Sequence, residues 1–481
     1  MSSVKKNFGY NLVLTLCGYI FPFITYPYIS RVLGVQNIGI CNFADSIINY
    51  FVLFSMLGVG SYGVREIARV REDEERRSAV FSNLIIINFI STLISIVVLV
   101  ICTYEIPKLT EYKPFLLIGI AKLLFNMFLI EWFYQGMQEF KYITLRSLLV
   151  RIIYVISIFI FIHEREDVIL YFLITTLTIV LNAVVNWIHA RKYIKISFHH
   201  LKVRSFFIPI LTFGYYRILT SMYTTFNTVF LGVTSGDIEV GYFATATKLY
   251  SIIMSVLAAF TTVMIPKVSE LLQNGQREKI QWIADQTLSV ITVISIPVII
   301  YCNFCAVDII SLLAGPGYEG AVISFRIVIF LLLIIGFEQV LIQQFLMASQ
   351  KTIPVMLVST VGAVVGITAN IILTPRLGAT GSSIAWGVSE LSVLLTGIVK
   401  VKKGIGITIS TIKIIKDVIW SFLYMIPLFV VSLFNLGLWS NLIISGFVVS
   451  SLFVIINLWL HKNEQVITIV YGILSRLKIK L

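Results

Sequence analysis

Residues 206–232, FFIPILTFGYYRILTSMYTTFNTVFLG, and 239–266, EVGYFATATKLYSIIMSVLAAFTTVMIP, decide how this chain is read. Each is long and apolar enough to cross a bilayer as a helix, and each carries one cation deep inside it, Arg217 and Lys248. At a rise of about 1.5 Å per residue, Arg217 lies roughly 16 Å from the Phe206 edge and Lys248 roughly 13 Å from the Glu239 edge. Two antiparallel neighbours in a hydrocarbon layer about 30 Å thick bring these charges to one depth. A charge there costs about 2.5–3.5 kcal/mol even on the lenient insertion scale, so it faces a partner or a watery cavity. The pair points to a central cavity that receives an anion.

The same pattern fills the chain on either side. Its 481 residues are 58% hydrophobic and 13% charged, with a mean hydropathy of +0.93. That is more apolar surface than a soluble core of this size buries, and runs of about 20 apolar residues recur throughout. About fourteen spans can be drawn: 9–33, 39–64, 79–104, 114–138, 141–162, 168–190, 206–232, 239–265, 282–303, 319–346, 353–374, 379–399, 417–436 and 439–460. The expected fold class is an all-α integral membrane protein. Lys5 and Lys6 precede a first span of about 25 residues without a small-residue cleavage site, so this segment reads as an anchor rather than a secretory leader.

Charge sets the expected orientation. With the N-terminus in the cytoplasm, 26 of the 37 Lys and Arg fall on that side and only Arg31, Lys108, Lys113, Arg165 and Arg376 fall outside. Such a bias is the positive-inside signature, and it places both termini in the cytoplasm. The net charge of +13 is thereby explained by topology, without a nucleic-acid partner. Cysteine adds little. Cys17, Cys41 and Cys102 are isolated, and Cys302 with Cys305 form a lone CxxC with no second pair and no nearby His, so small apolar filler is preferred over a metal site.

Two basic hinges, 191–205 and 401–416, divide the chain into six-span halves, 1–200 and 201–403, followed by a terminal pair of spans with a tail, 404–481. Phe43, Ala44 and Tyr50 recur as Phe243, Ala244 and Tyr250, and Met137, Lys141 and Ile143 recur as Met347, Lys351 and Ile353. The fourth span of each half carries a cation and a carboxylate, Lys122 with Glu131 and Arg326 with Glu338. Two pseudo-symmetric six-helix lobes around a central cavity, plus two C-terminal helices, is a common transporter plan.

Polar residues at helical spacing mark the spans that would line such a cavity. Span 1 shows Asn7, Asn11, Thr15, Gly18 and Pro22, and span 2 shows Asn42, Asp45, Ser46 and Asn49. The seventh shows Thr212, Tyr216, Thr220, Tyr223 and Asn227, and the eighth Gly241, Thr245, Lys248 and Ser255. Small and hydroxyl residues also serve plain helix packing in membranes. Their place on the equivalent pair of spans in each half favours the cavity. By depth, Lys122 and Arg151 join Arg217 and Lys248 near one plane, while Arg146 and Arg326 sit nearer the edges, where long side chains snorkel. Asp45 and Glu390 are the two carboxylates at depth, each either an ion-pair partner or a site for a coupling cation. Glu131 and Glu338 fall near the inner edge and read as structural, as partners of gate-side arginines.

Several stretches carry a family likeness: YPYISRVLG (26–34), GVREIA (63–68), EWFYQGMQEFKYIT (131–144), GYFATATKLY (241–250) and GATGSSIAWGVSE (378–390). In this order they resemble the Wzx-type polysaccharide flippases of the multidrug/oligosaccharidyl-lipid/polysaccharide exporter superfamily. The resemblance implies a two-lobed helical fold in the bacterial cytoplasmic membrane. It also implies movement of an undecaprenyl-diphosphate-linked oligosaccharide from the inner to the outer leaflet, as for O-antigen. A diphosphate is a compact anion suited to Arg217, Lys248, Arg151 and Lys122, and Tyr216, Tyr223, Asn227 and Thr245 suit sugars. Membrane lipids hold the tail, and a polymerase and chain-length regulator are the expected pathway partners. No cofactor and no enzymatic step are expected, with Asp45 and Glu390 left for coupling to a proton or sodium gradient or to the membrane potential. A peptidoglycan-precursor flippase shares the diphosphate handle, and a multidrug/cation antiporter would favour buried carboxylates over four deep cations. If the cavity reading holds, Lys122→Cys, Arg151→Cys, Arg217→Cys and Lys248→Cys should react with a membrane-impermeant thiol reagent applied from at least one side; four unlabelled positions would exclude it.

Overall fold

A computed structural model describes residues 2–195, 203–349, 352–434 and 436–460. Among them the regular structure is helical, and 11 stretches are long and apolar enough to cross a membrane. The protein is an all-α, multi-pass membrane protein. Two compact units divide it: Met1–Ala244 with Asn370–Ser382, and Thr245–Ala369 with Ser383–Leu481. The sequence hinges at 196–202, Lys351 and the residues beyond 460 lie outside the described residues.

The first unit holds α1 (Ser2–Met56), α2 (Val59–Arg69), α3 (Glu74–Glu105), α4 (Pro107–Thr110), α5 (Lys113–Phe128), α6 (Glu131–Gly136), α7 (Phe140–Phe161), α8 (Val168–Ala190) and α9 (Val203–Thr234). The start of α10 (Asp237–Gln273) belongs to it as well. Helix α3 shows why these segments fold as they do. Asp73 caps it by accepting the Arg76 backbone N–H at 3.0 Å, and Glu74 and Glu75 follow in the first turn, where the helix dipole favours anions. Its buried face mixes Phe81, Leu84, Ile87 and Leu99 with Ser78, Ser82, Asn88, Thr92, Ser95 and Thr103, while Ile90, Ile94, Val97 and Ile101 are exposed. With lipid outside, small and hydroxyl residues share the helix contacts with the apolar ones. Their own needs are met locally: Ser82 Oγ donates to Ser78 O at 2.8 Å and Thr103 Oγ1 to Leu99 O at 2.7 Å.

Two helices in this unit are broken. Leu57 (φ 46°) separates α1 from α2, and Ile130 (φ 39°) caps α6 after α5. The short helices α2 and α6 pack on one another through a reciprocal pair of glycines. A Cβ on Gly63 would run into the Trp132 ring, and one on Gly136 would lie 2.8 Å from Ile67 Cβ and 3.0 Å from Val64 O. Trp132 and Ile67 are both buried, with Phe81, Phe133 and Tyr134 completing the cluster. Two glycines interrupt long helices. Gly34 (φ 77°) interrupts α1, and Gly378 (φ 56°) interrupts α15 (Thr352–Ile405). At the latter, Glu239 fills the space a Cβ would need, and its Oε2 accepts the Ala379 N–H at 2.7 Å.

The second unit contains the rest of α10, α11 (Arg277–Phe304), α12 (Ala306–Leu313), α13 (Ala321–Val328), α14 (Leu331–Glu338), a π-helix (Gln339–Met347) and most of α15. Helices α16 (Thr411–Ser421), α17 (Met425–Ser432) and α18 (Leu438–Val454) complete it. Tyr424, Leu428 and Ile456 pack with Ile300 of α11. Ser289 Oγ donates to the buried Asp417 carboxylate at 2.7 Å, and Tyr301 donates to Leu442 O at 3.2 Å.

The reciprocal glycine contact sets a test. Gly136→Ala should destabilise the purified protein by about 1–3 kcal/mol through overpacking, read as a lower unfolding temperature in detergent. Gly60→Ala, on α2 but with nothing within 4 Å, should be neutral or stabilising.

Candidate anion-binding site

Helix α7 carries the cations that bear most directly on an anion. Arg146 is buried, its side chain 4% exposed, and its Nη2 donates to Glu131 Oε1 at 2.6 Å and to Ser147 Oγ at 2.8 Å. Its Nε and Nη1 are buried and find no acceptor among the described residues. The edge position read from the sequence suggested snorkelling. Instead α6 supplies a carboxylate, and the guanidinium turns inward to meet it. Arg326, on α13, is exposed as a snorkelling residue should be.

Arg151 lies five residues further on, about 7.5 Å along the axis. It is half-buried, and its Nη1 is buried without an acceptor among the described residues. Gly18 of α1 flanks it: a Cβ there would sit 3.4 Å from Nη1 and 3.6 Å from Nη2. A guanidinium presents five donors and cannot shed its charge, so an unfilled buried N–H is a standing demand for an acceptor. Two arginines and one carboxylate leave this stretch with one excess positive charge.

Lys122 of α5 is paired differently. Its Nζ meets Asp45 Oδ1 of α1, and Asn49 Nδ2 donates to Asp45 Oδ2 at 2.9 Å. In both ion pairs the cation is the shielded member, 13% exposed for Lys122, and the carboxylate the open one, 42% exposed for Asp45 and for Glu131. An approaching anion therefore meets a carboxylate before it meets Lys122 or Arg146. Asn42 of the same stripe is satisfied within α1, its Nδ2 donating to Ile38 O at 2.7 Å.

The remaining candidates fall elsewhere. Arg217, Tyr216 and Tyr223 stand on α9, but their side chains lie outside the described residues, as do those of Asn7, Asn11 and Thr15 on α1. Asn227 is buried, and its Oδ1 accepts from Asn370 Nδ2 at 2.6 Å. Asn370 Oδ1 accepts from Thr374 Oγ1 at 2.8 Å, and Thr374 reaches Ser382 at 3.1 Å. Thr245, buried, and Lys248, half-buried one turn later, belong to the second unit. So does Glu390, buried on α15, whose Oε1 accepts from Trp386 Nε1 at 2.7 Å. Glu338, buried at the end of α14, takes part in no ion pair with an arginine among the described residues.

Comparison with known proteins follows the same lines. The family described as polysaccharide biosynthesis protein matches residues 4–272, and the MatE family matches residues 215–372. A protein of Escherichia coli (strain K12) named "Putative O-antigen transporter" is 24% identical over 338 residues, 68% of this chain and 79% of that one. One of the same name from Shigella dysenteriae is 21% identical over 278 residues, 56% and 68% of the two chains. Among solved structures, the lipid II flippase MurJ in an inward closed conformation superposes with a TM-score of 0.72 at 17% identity, covering 93% of this chain and 97% of that one. An inward-facing multidrug resistance MATE family transporter gives 0.61 at 16% identity, covering 82% and 94%. At such identities the structural likeness speaks to the fold alone. The first family match spans more than half of the sequence, from α1 through the glycine-packed α2 and α6 and the arginines of α7 to the end of α10, and this chain belongs to the polysaccharide biosynthesis protein family.

Proposed function

We propose that this protein is a flippase. It moves undecaprenyl-diphosphate-linked oligosaccharide repeat units from the inner to the outer leaflet of the bacterial cytoplasmic membrane by alternating access. Family membership and relatives named as O-antigen transporters support this reading. The observation that carries the chemistry is Arg151, a deep guanidinium with a buried donor lacking an acceptor. A diphosphate supplies such acceptors, and arginine engages phosphate in bidentate fashion. Arg217 and Lys248 add charge on the same reading, and the lipid tail stays in the bilayer while the head group crosses. The transfer makes and breaks no covalent bond, so no cofactor is needed and an ion gradient or the membrane potential suffices to reset the carrier.

The finer topology belongs to this proposal. The stretches Ile20–Arg69 and Ile353–Ile405 contain 50 and 53 residues. Straight, they would be roughly 75–80 Å long, more than twice a hydrocarbon layer of about 30 Å. Each is interrupted by a glycine with positive φ, so each makes two crossings. Counting α9 as one more gives fourteen, and the Lys/Arg bias puts both termini in the cytoplasm. A peptidoglycan-precursor flippase is the second reading, favoured by the fold likeness to a lipid II flippase.

Complementation tests both. The gene should restore surface glycan to a strain lacking its repeat-unit flippase and should fail to rescue loss of the lipid II flippase; the reverse result selects the second reading. In that assay, at matched membrane expression, Arg151→Ala, Arg217→Ala and Lys248→Ala should each sharply reduce surface glycan. One lost charge-assisted contact is worth about 1.5–3 kcal/mol, roughly 10- to 100-fold in affinity. Arg151→Lys should retain part of the activity, since it keeps the charge and loses the fork. Normal glycan from all three alanine variants would overturn the anion mechanism.

A structural role for the Lys122–Asp45 pair gives a different signature. Asp45→Asn leaves Lys122 buried and unmatched, and should lower stability by about 1–3 kcal/mol. That is less than the ~3–5 kcal/mol of a fully buried pair, because Asp45 is partly open. Asp45→Asn with Lys122→Met should recover most of the unfolding temperature. If the double variant regains stability but not transport, the pair also serves translocation.

A further inference from the structure

Arg146 is held by less than its guanidinium can use. An arginine matched to a carboxylate commonly presents two parallel N–H groups to the two oxygens. Here Glu131 meets it with one prong, Oε1 accepting from Nη2 at 2.6 Å, and Ser147 Oγ accepts from the same nitrogen at 2.8 Å. Nε and Nη1 stay buried without an acceptor among the described residues.

The carboxylate is the loose partner. The Glu131 side chain is 42% exposed against 4% for Arg146, and that one bond is all its carboxylate accepts among the described residues. Asp45, in the comparable pair, is braced on both oxygens: Lys122 Nζ meets Oδ1, and Asn49 Nδ2 donates to Oδ2 at 2.9 Å. The backbone behind Glu131 is strained as well. Ile130, β-branched, is held at φ 39° and ψ 32°, a left-handed conformation that such side chains rarely adopt and that concentrates at clamps and switches. Helix α6 itself is fixed farther along, where Trp132 lies over Gly63 and Tyr134 donates to Asn186 O at 2.6 Å. Glu131, its first residue, can therefore swing away while α6 stays in place. Arg146 would then be a buried charge without a partner, so the exchange needs an anion that offers more acceptors than Glu131 does. A diphosphate is such an anion, with several oxygens in a compact group.

We infer that Glu131 is a displaceable counter-ion, which occupies Arg146 before substrate arrives and yields it to the diphosphate, making Arg146 an entry station ahead of Arg151. This rests on the flippase reading, in which α7 begins at the cytoplasmic face. Arg146 then lies roughly 7.5 Å along the helix from Lys141, and Arg151 roughly 15 Å. Five residues also turn the two side chains about 140° apart around the axis. Arg146 meets α6 and Arg151 meets Gly18 of α1, so they act in succession rather than as one clamp.

The test is binding of farnesyl diphosphate to the purified full-length protein in lipid nanodiscs, by calorimetry against empty nanodiscs and by the shift in unfolding temperature. Arg151→Ala should weaken binding about 10-fold or more, which examines the anion reading itself. Glu131→Gln removes the competing charge and should tighten binding about 10-fold, and Arg146→Gln added to it should remove that gain. Without ligand Glu131→Gln should unfold at a lower temperature than wild type, since Arg146 is left unmatched, and farnesyl diphosphate should stabilise it more than wild type. Glu131→Asp, with its shorter reach, should show smaller changes of the same sign, so the assignment remains testable if the glutamine variant folds poorly. A pair that only braces the fold predicts the lower temperature without the gain in affinity. Unchanged or weaker binding by both Glu131 variants, with Arg151→Ala weakened as expected, overturns the counter-ion and leaves the flippase reading standing. A gain that survives Arg146→Gln does the same. No binding by wild type or by either Glu131 variant overturns both.

Discussion

Every deep charge in this protein answers to the absence of water around it. In a hydrocarbon layer a cation without a partner costs several kcal/mol, and a backbone or side-chain donor without an acceptor costs a comparable amount. The first unit is arranged around that constraint. Asp45 is brought from α1 to Lys122 on α5, and Glu131 from α6 to Arg146 on α7. The buried face of α3 satisfies its hydroxyls through its own carbonyls, leaving the apolar face outward. The unfilled donors that remain on these cations among the described residues, Arg146 Nε and Nη1 and Arg151 Nη1, all lie on α7.

Close helix approach is the second organising feature, and it explains what the family-like motifs are for. Gly63 and Ile67 lie in GVREIA, Trp132 and Gly136 in EWFYQGMQEFKYIT, and the two stretches meet as a glycine-for-side-chain exchange. Gly34 ends YPYISRVLG and Gly378 begins GATGSSIAWGVSE, and both kink a long helix with a positive φ. These motifs encode bends and contacts rather than substrate chemistry.

Much of the fold was legible because apolar runs are long and strongly periodic. The span drawn at 168–190 is α8, that at 141–162 matches α7 within a residue, and 79–104 lies inside α3. Breaks inside spans were harder to read: Ile130 adopts a positive φ with no neighbouring glycine or proline, and at Leu57 the positive φ falls on the residue before Gly58 rather than on the glycine. Counting residues along each span singled out Arg151, Lys122, Asp45 and Glu390 as charges far from a span's ends. Partnership was not legible. Asp45 has no cation one turn away, and its partner comes from 77 residues further on. Glu338 was placed for an arginine by its position, and it forms no ion pair with one among the described residues. One-dimensional depth gives how far a charge lies from water, but not which helix stands beside it.

That 77-residue separation has a consequence for how the protein is made. Chains emerge at about 5–20 residues per second, so Asp45 enters the membrane roughly 4–15 s before Lys122 exists. Glu131 waits only about 1–3 s for Arg146, 15 residues later. During the longer interval α1 carries an unmatched carboxylate among its apolar residues. The order of synthesis thus leaves this part of α1 provisional until α5 arrives. Biogenesis, more than the finished structure, is where this ion pair is most exposed to failure.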